Sequence, residues 1–100
     1  MSFRIAAKNG EVRVFLSGEI DLETSPAVRK VLLDQLAQGQ ALCVDLADVS
    51  YMDSSGIASL VEAYQRARDK SLGFALSSVS EPVLKVLKLA RLDRVFTIQR

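Results

Sequence analysis

The sequence predicts a single α/β domain over residues 1–100, a mixed and mostly parallel β-sheet with helices packed on it. Three observations predict it. The chain has 100 residues, the length of one compact domain. Apolar residues make up 49% and charged residues 25%, which suits a buried core under a solvated surface and excludes disorder. Short apolar runs alternate with segments of helical apolar spacing, in the order β-β-α-β-α-β-α-β. Strands joined through helices should run parallel, by right-handed crossovers.

Each element has a local reason. Residues 3–6 and then Val12, Val14 and Leu16 read as strands, with Asn9-Gly10 as the hairpin turn between them. The pattern changes at Gly18-Glu19-Ile20-Asp21. Ser25-Pro26 marks a helix start, with a hydroxyl cap and proline at the first helical position. Val28, Val31, Leu32 and Leu36 follow at helical spacing, and Gly39 ends the helix. Leu42-Cys43-Val44-Asp45-Leu46 has the pattern of an interior strand covered on both faces. A loop through Ser50 leads to a second helix beginning near Ser54 to Gly56, with Ile57, Leu60, Val61, Tyr64 and Ala67 inward. Phe74-Ala75-Leu76 is a third buried strand. Ser80 caps a third helix with Pro82 in its first turn and Val83, Val86, Leu87 and Ala90 inward. Residues 95–98 form a last edge strand.

Composition removes several kinds of chemistry. Histidine is absent and Cys43 is the single cysteine, so the usual zinc sites and Ser-His or Cys-His pairs cannot be built within this chain. Cys43 sits in an apolar run and reads as a buried small hydrophobe. Thirteen basic against twelve acidic residues leave a net charge of +1, which argues against direct nucleic-acid binding. The charge is uneven: the first fifty residues carry five basic and seven acidic side chains, the second fifty eight and five. No apolar run resembles a signal peptide or approaches the ~20 residues of a transmembrane segment, so the chain reads as soluble and cytoplasmic.

Functional groups in such sheets collect where strands end and helices begin. Here that place is the segment from Asp45 to Gly56, with three carboxylates and three serines. A structural reading has Ser54 or Ser55 capping the helix, Asp53 accepting amide hydrogen bonds and Gly56 allowing a tight turn. Asp45, Asp48 and Asp53 offer hard oxygens to a metal, but not at EF-hand spacing. No phosphate-binding glycine motif occurs, and a serine nucleophile would lack a base, so the expectation is no cofactor and no enzyme. Ser54 can instead be a target of chemistry done by another protein. A phosphate there adds roughly −1.5 to −2 charges beside Asp53.

Two motifs sharpen this. Met52-Asp53-Ser54-Ser55-Gly56-Ile57 resembles the signature of STAS domains, particularly bacterial anti-sigma factor antagonists. Leu16-Ser17-Gly18-Glu19-Ile20-Asp21 resembles that family's strand-end motif, and the likeness continues through Val44-Asp45-Leu46 and Val83-Leu84-Lys85-Val86-Leu87. The resemblance implies the STAS fold and partner switching. The unphosphorylated domain binds an anti-sigma factor that is a serine kinase of the histidine-kinase-like ATPase type, which frees sigma. Phosphorylation ends binding, and a serine phosphatase resets it. The phosphoacceptor is then Ser54, while Asp21 and Asp53 order the site and meet the kinase. Ser55, Gly56 and Ile57 belong to the partner-binding segment, with Gly56 keeping the turn accessible. The exposed side of the second helix carries the rest, and Ser59, Glu62, Ala63 and Arg66 are spaced to share it. ATP belongs to the kinase. The alternative is a STAS subunit of an Mla-type lipid-transport ABC complex, which docks on the transporter ATPase through the same helix face.

Overall fold

The computed structural model describes residues 1–99; Arg100, included in the domain read from the sequence, lies outside the described residues. Strand β1 (Ser2–Lys8) turns into β2 (Glu11–Ile20) through Asn9 and Gly10, whose φ values of 53° and 81° are those of a tight hairpin turn. Then follow α1 (Ser25–Ala37), β3 (Ala41–Met52), α2 (Ser54–Asp69), β4 (Phe74–Ser77), α3 (Glu81–Leu89) and β5 (Thr97–Gln99). The five strands form one sheet in the order β1-β2-β3-β4-β5. Only β1 pairs antiparallel with its neighbour; β2 with β3, β3 with β4 and β4 with β5 are parallel. Element order and sheet type are those expected from the sequence.

The helices cover one face of this sheet. Val12, Val14, Leu16, Leu42, Val44, Leu46 and Leu76 join the helical residues Leu32, Leu36, Leu60, Val83 and Leu87 in a single core cluster. Alternate positions point the other way, and Arg13, Phe15 and Asp45 there are half-exposed. The expectation that β3 is covered on both faces is therefore corrected. On the uncovered face Arg13 Nη1 donates to Ser77 Oγ at 3.2 Å, and Ser77 Oγ donates to Asp45 Oδ2 at 3.3 Å. Cys43 is buried as expected, flanked by Arg13 and Ala75 on the neighbouring strands, with its Sγ 3.9 Å from Gln99 Oε1.

Strand β3 also outruns the reading that ended it at Leu46 and placed a loop through Ser50. Its pairing with β2 steps from Phe15↔Asp45 to Ser17↔Asp48, and from Gly18↔Val49 to Glu19↔Tyr51. Each step inserts one extra residue in β3, a bulge that lengthens the inward spacing from two residues to three. The buried positions are accordingly Leu42, Val44, Leu46, Val49 and Met52. A period-two pattern loses the strand where the bulges begin.

Four smaller corrections concern helix and strand ends. The N-cap of α1 is Thr24, with Ser25 and Pro26 inside the first turn. Ser80 does precede α3, but its hydroxyl donates to the Val49 carbonyl at 2.6 Å instead of capping, which pins α3 to β3. Ala90, expected inward, is the exposed C-cap. Strand β5 is confined to Thr97–Gln99 because the Val95 and Phe96 amides bond back to the Leu92 carbonyl at 3.0 and 3.2 Å. The Phe96 ring meanwhile packs edge-on against Tyr64, with centroids 5.5 Å apart.

Candidate functional site

The site is built where β2 and β3 end side by side. Ile20 pairs with Met52, so Asp21 and Asp53 leave adjacent strand ends at matching positions. Asp53 N–H donates to the Ile20 carbonyl at 3.1 Å, tying the two ends together. Asp53 is the N-cap of α2: its extended backbone turns the carboxylate over the helix start, where Oδ1 accepts from Ser55 N at 2.9 Å and Gly56 N at 3.3 Å. Asp21 organises a second turn. Its Oδ1 accepts from Glu23 N at 3.0 Å, Thr24 N at 3.1 Å and the Thr24 hydroxyl at 3.2 Å, while Thr24 Oγ1 also donates to the Glu19 carbonyl. The Thr24 amide, helped by the Thr24 hydroxyl and the Glu23 amide, holds the Asp21 carboxyl below its ordinary 3.8.

Ser54 is the first residue of α2 and is exposed, and among the described residues no hydrogen-bond partner holds its hydroxyl. Of the possible caps, then, Asp53 does the capping and leaves the serine free. Ser55 is half-buried, and its carbonyl accepts the Ser59 hydroxyl at 3.2 Å. Gly56 has no positive φ, which corrects the reading of it as a turn glycine. A Cβ there would lie 2.6 Å from Met52 Cγ and 2.8 Å from Ile20 Cγ2, so glycine is what lets the helix start press onto the strand ends.

Four of the predicted partner-binding residues are buried: Gly56, Ile57, Ser59 and Ala63. The reading that put Ser59 and Ala63 on an exposed side with Glu62 and Arg66 is corrected. That side of α2 faces α1: Ser59 Oγ donates to the Ser25 carbonyl at 3.3 Å, and Ala63 is fully covered. Their small side chains are what close helix packing needs. Glu62 borders this contact in a two-pronged pair with α1, accepting from Arg29 Nε at 2.8 Å and Arg29 Nη2 at 2.6 Å. The hydrogen bonds from Arg29 lower the Glu62 carboxyl below its ordinary 4.5, with Arg66 adding a weaker pull. Arg66 is exposed as expected.

The exposed stripe of α2 runs instead through Ser54, Ala58, Gln65 and Arg68. Two exposed apolar residues missed by the sequence reading stand at the same strand-exit end: Leu22, 75% exposed beside Asp21, and Tyr51, 48% exposed before Met52. No sequence pattern marks them; the pairing of the β2 and β3 ends brings them to one end of the sheet. Asp45, Asp48 and Asp53 do not converge, and no group of three metal-ligating side chains occurs among the described residues. Asp45 instead turns to the Ala47 amide and Ser77. No helix among these residues is long and apolar enough to cross a membrane.

Fold and site together define a small α/β domain that presents a helix-start serine beside two carboxylates ordered by backbone amides. The chain belongs to the STAS domain family, whose model matches residues 3–100. It is 32% identical over 89 residues to an anti-sigma-B factor antagonist of Listeria monocytogenes, covering 88% of this chain and 78% of that protein. An anti-sigma-B factor antagonist of Bacillus subtilis is 29% identical over 100 residues, covering 98% and 92%. Among solved structures, an anti-sigma factor antagonist from Mycobacterium paratuberculosis is similar with a TM-score of 0.86 at 26% identity, covering 98% of this chain and 84% of that one.

Proposed function

We propose that this chain is an anti-sigma factor antagonist that acts in the cytoplasm by partner switching, with Ser54 as the switch. The observation that carries the reading is the unheld, exposed Ser54 hydroxyl beside a cap already supplied by Asp53. Unphosphorylated, the strand-exit end binds an anti-sigma factor kinase through Asp21, Asp53 and the exposed stripe of α2, with Leu22 and Tyr51 as apolar anchors. Gly56, Ile57, Ser59 and Ala63 shape that surface from beneath. The kinase brings ATP; Ser54 Oγ attacks the γ-phosphorus, loses its proton to a base of the kinase, and ADP leaves. A phosphatase later hydrolyses the ester.

The local electrostatics favour ejection of the partner. A phosphate at a helix start is ordinarily welcomed by free amides. Here the Asp53 carboxylate already accepts the Ser55 and Gly56 amides. The new charge therefore stays outward beside an existing one, where it repels an acidic or close-fitting partner.

The test begins with a pull-down from the native host, followed by reconstitution with the captured kinase and ATP. One phosphate on Ser54, lost in Ser54→Ala, and weaker binding of Ser54→Asp are expected. Phosphate on Ser55 in the intact protein would overturn the assignment. Stoichiometric capture of an ABC ATPase, unaffected by Ser54→Ala, would select the lipid-transport alternative.

A further inference from the structure

The net charge of +1 conceals a molecule with two unlike ends. Strands β2 to β5 run parallel, and each intervening helix returns antiparallel to them. The strand-exit end therefore carries Glu19, Asp21, Glu23, Asp53 and the start of α3 at Glu81. The helix-exit end carries the C-cap of α2, Lys70, and the close of α3 with the turn that follows it.

That second end is basic and bears an exposed apolar tip. Lys85, Lys88, Arg91 and Arg94 are all exposed, and the two ion pairs among the described residues, Arg29–Glu62 and Lys30–Asp34, involve none of them. Lys88, Arg91 and Arg94, with Asp93, line an open concavity of about 490 Å³. Leu89, the last residue of α3, is 86% exposed, more than any other large apolar side chain described, and Val95, six residues further along the chain, is 44% exposed. The helix dipole accounts for a cation in the last turn such as Lys88. It accounts neither for Arg94, beyond the helix, nor for a leucine held out into water.

We propose that this end docks on an anionic lipid surface, with Leu89 entering the boundary between headgroups and acyl chains and the cations meeting lipid phosphates. An exposed leucine that follows Lys88 and precedes Arg91 in the chain, at an end rich in Lys and Arg, is the composition of interfacial lipid contacts. A protein partner is the poorer fit, since protein interfaces are depleted of lysine at their centres and bury broader apolar patches than one leucine and one valine. Docked this way, the protein turns its helix-exit end to the lipid and its strand-exit end, with Ser54, away from it. The inference stands apart from partner switching, because neither the patch nor the lipid takes part in phosphorylation.

The experiment is flotation of the full chain with vesicles of phosphatidylcholine alone and of phosphatidylcholine mixed with phosphatidylglycerol. Binding to the mixed vesicles only, falling as salt is raised, is expected. Each of Lys88→Glu, Arg91→Glu and Arg94→Glu should lower partitioning at least about five-fold. Leu89→Ser, which leaves every charge in place, should lower it at least about three-fold. All four positions are exposed, and circular dichroism of each variant checks the fold. No binding to mixed vesicles would overturn the proposal. So would full binding by Leu89→Ser together with equal competition by poly-glutamate, which would assign the patch to an acidic protein.

Discussion

Gly56 stands so close to Met52 that a single added methyl group would lie 2.6 Å from the methionine Cγ. Met52 is buried and Ile20 fully so, which leaves neither free to move aside. Gly56→Ala should therefore destabilise the domain by about 1–3 kcal/mol, despite the better helix propensity of alanine, because overpacking outweighs it. Urea unfolding measures this. Unchanged stability would mean that the helix start is less tightly seated than these distances require.

Asp53 contributes to stability as well as to the site. Asp53→Ala removes the acceptor of two α2 amides and should cost about 1 kcal/mol, within a range of 0.5–2. Asp53→Asn keeps an acceptor and should cost less, while removing the charge next to Ser54. Comparing the two variants by urea unfolding separates the cap from the charge. Equal losses would mean that the charge, not the hydrogen bonds, matters.

Acid should weaken the fold through Asp21 and Glu62. Both carboxyls are lowered in the folded state, by the Thr24 amide and by the Arg29 guanidinium respectively. Depressed carboxyls contribute stability above their unfolded values, 3.8 and 4.5, and lose it as pH falls through the lower folded ones. Raised Arg29 adds no slope in this window, since it stays charged in both states. The stability of Asp21→Asn should thus depend less on pH below about 4 than that of the parent. NMR titration of the side-chain carboxyls reads the same effect directly.

The helix pair α1–α2 predicts a contrast between neighbours on α2. Ala63→Leu inserts volume into a fully covered contact and should cost about 1–3 kcal/mol. Arg66→Ala, on the exposed side, should change stability by no more than about 0.5 kcal/mol. Thermal or urea unfolding of the two variants checks the assignment of faces. Similar values would overturn it.

These residues also show what could be read before any coordinates. Element order and the position of the α2 start followed from apolar period, proline and glycine placement, because those signals are local. The far half of β3 did not, since its inward residues are spaced by three after Leu46 and only pairing with β2 reveals the bulges. Ser59 and Ala63 look like surface by composition. Their burial depends on α1 crossing at that height, which no pattern within α2 records. Gly56 suggested a turn, whereas its reason is the proximity of Ile20, 36 residues earlier in the chain. Leu22 and Tyr51 gave no pattern at all; only the meeting of two strand ends makes them neighbours of the site.

The aromatic trio of Tyr64, Phe74 and Phe96 gives the protein a built-in optical report. The chain has two tyrosines and no tryptophan. Tyr64 is held edge-on to both phenylalanines, at interplanar angles of 75° and 78°, an asymmetric setting that lends its absorption a circular dichroism signal lost on unfolding. Tyr51 stands half in solvent at the strand-exit end, open to a collisional quencher. An unlabelled sample thus carries one ring that reads the integrity of the core and another that reads whether the Ser54 end is covered.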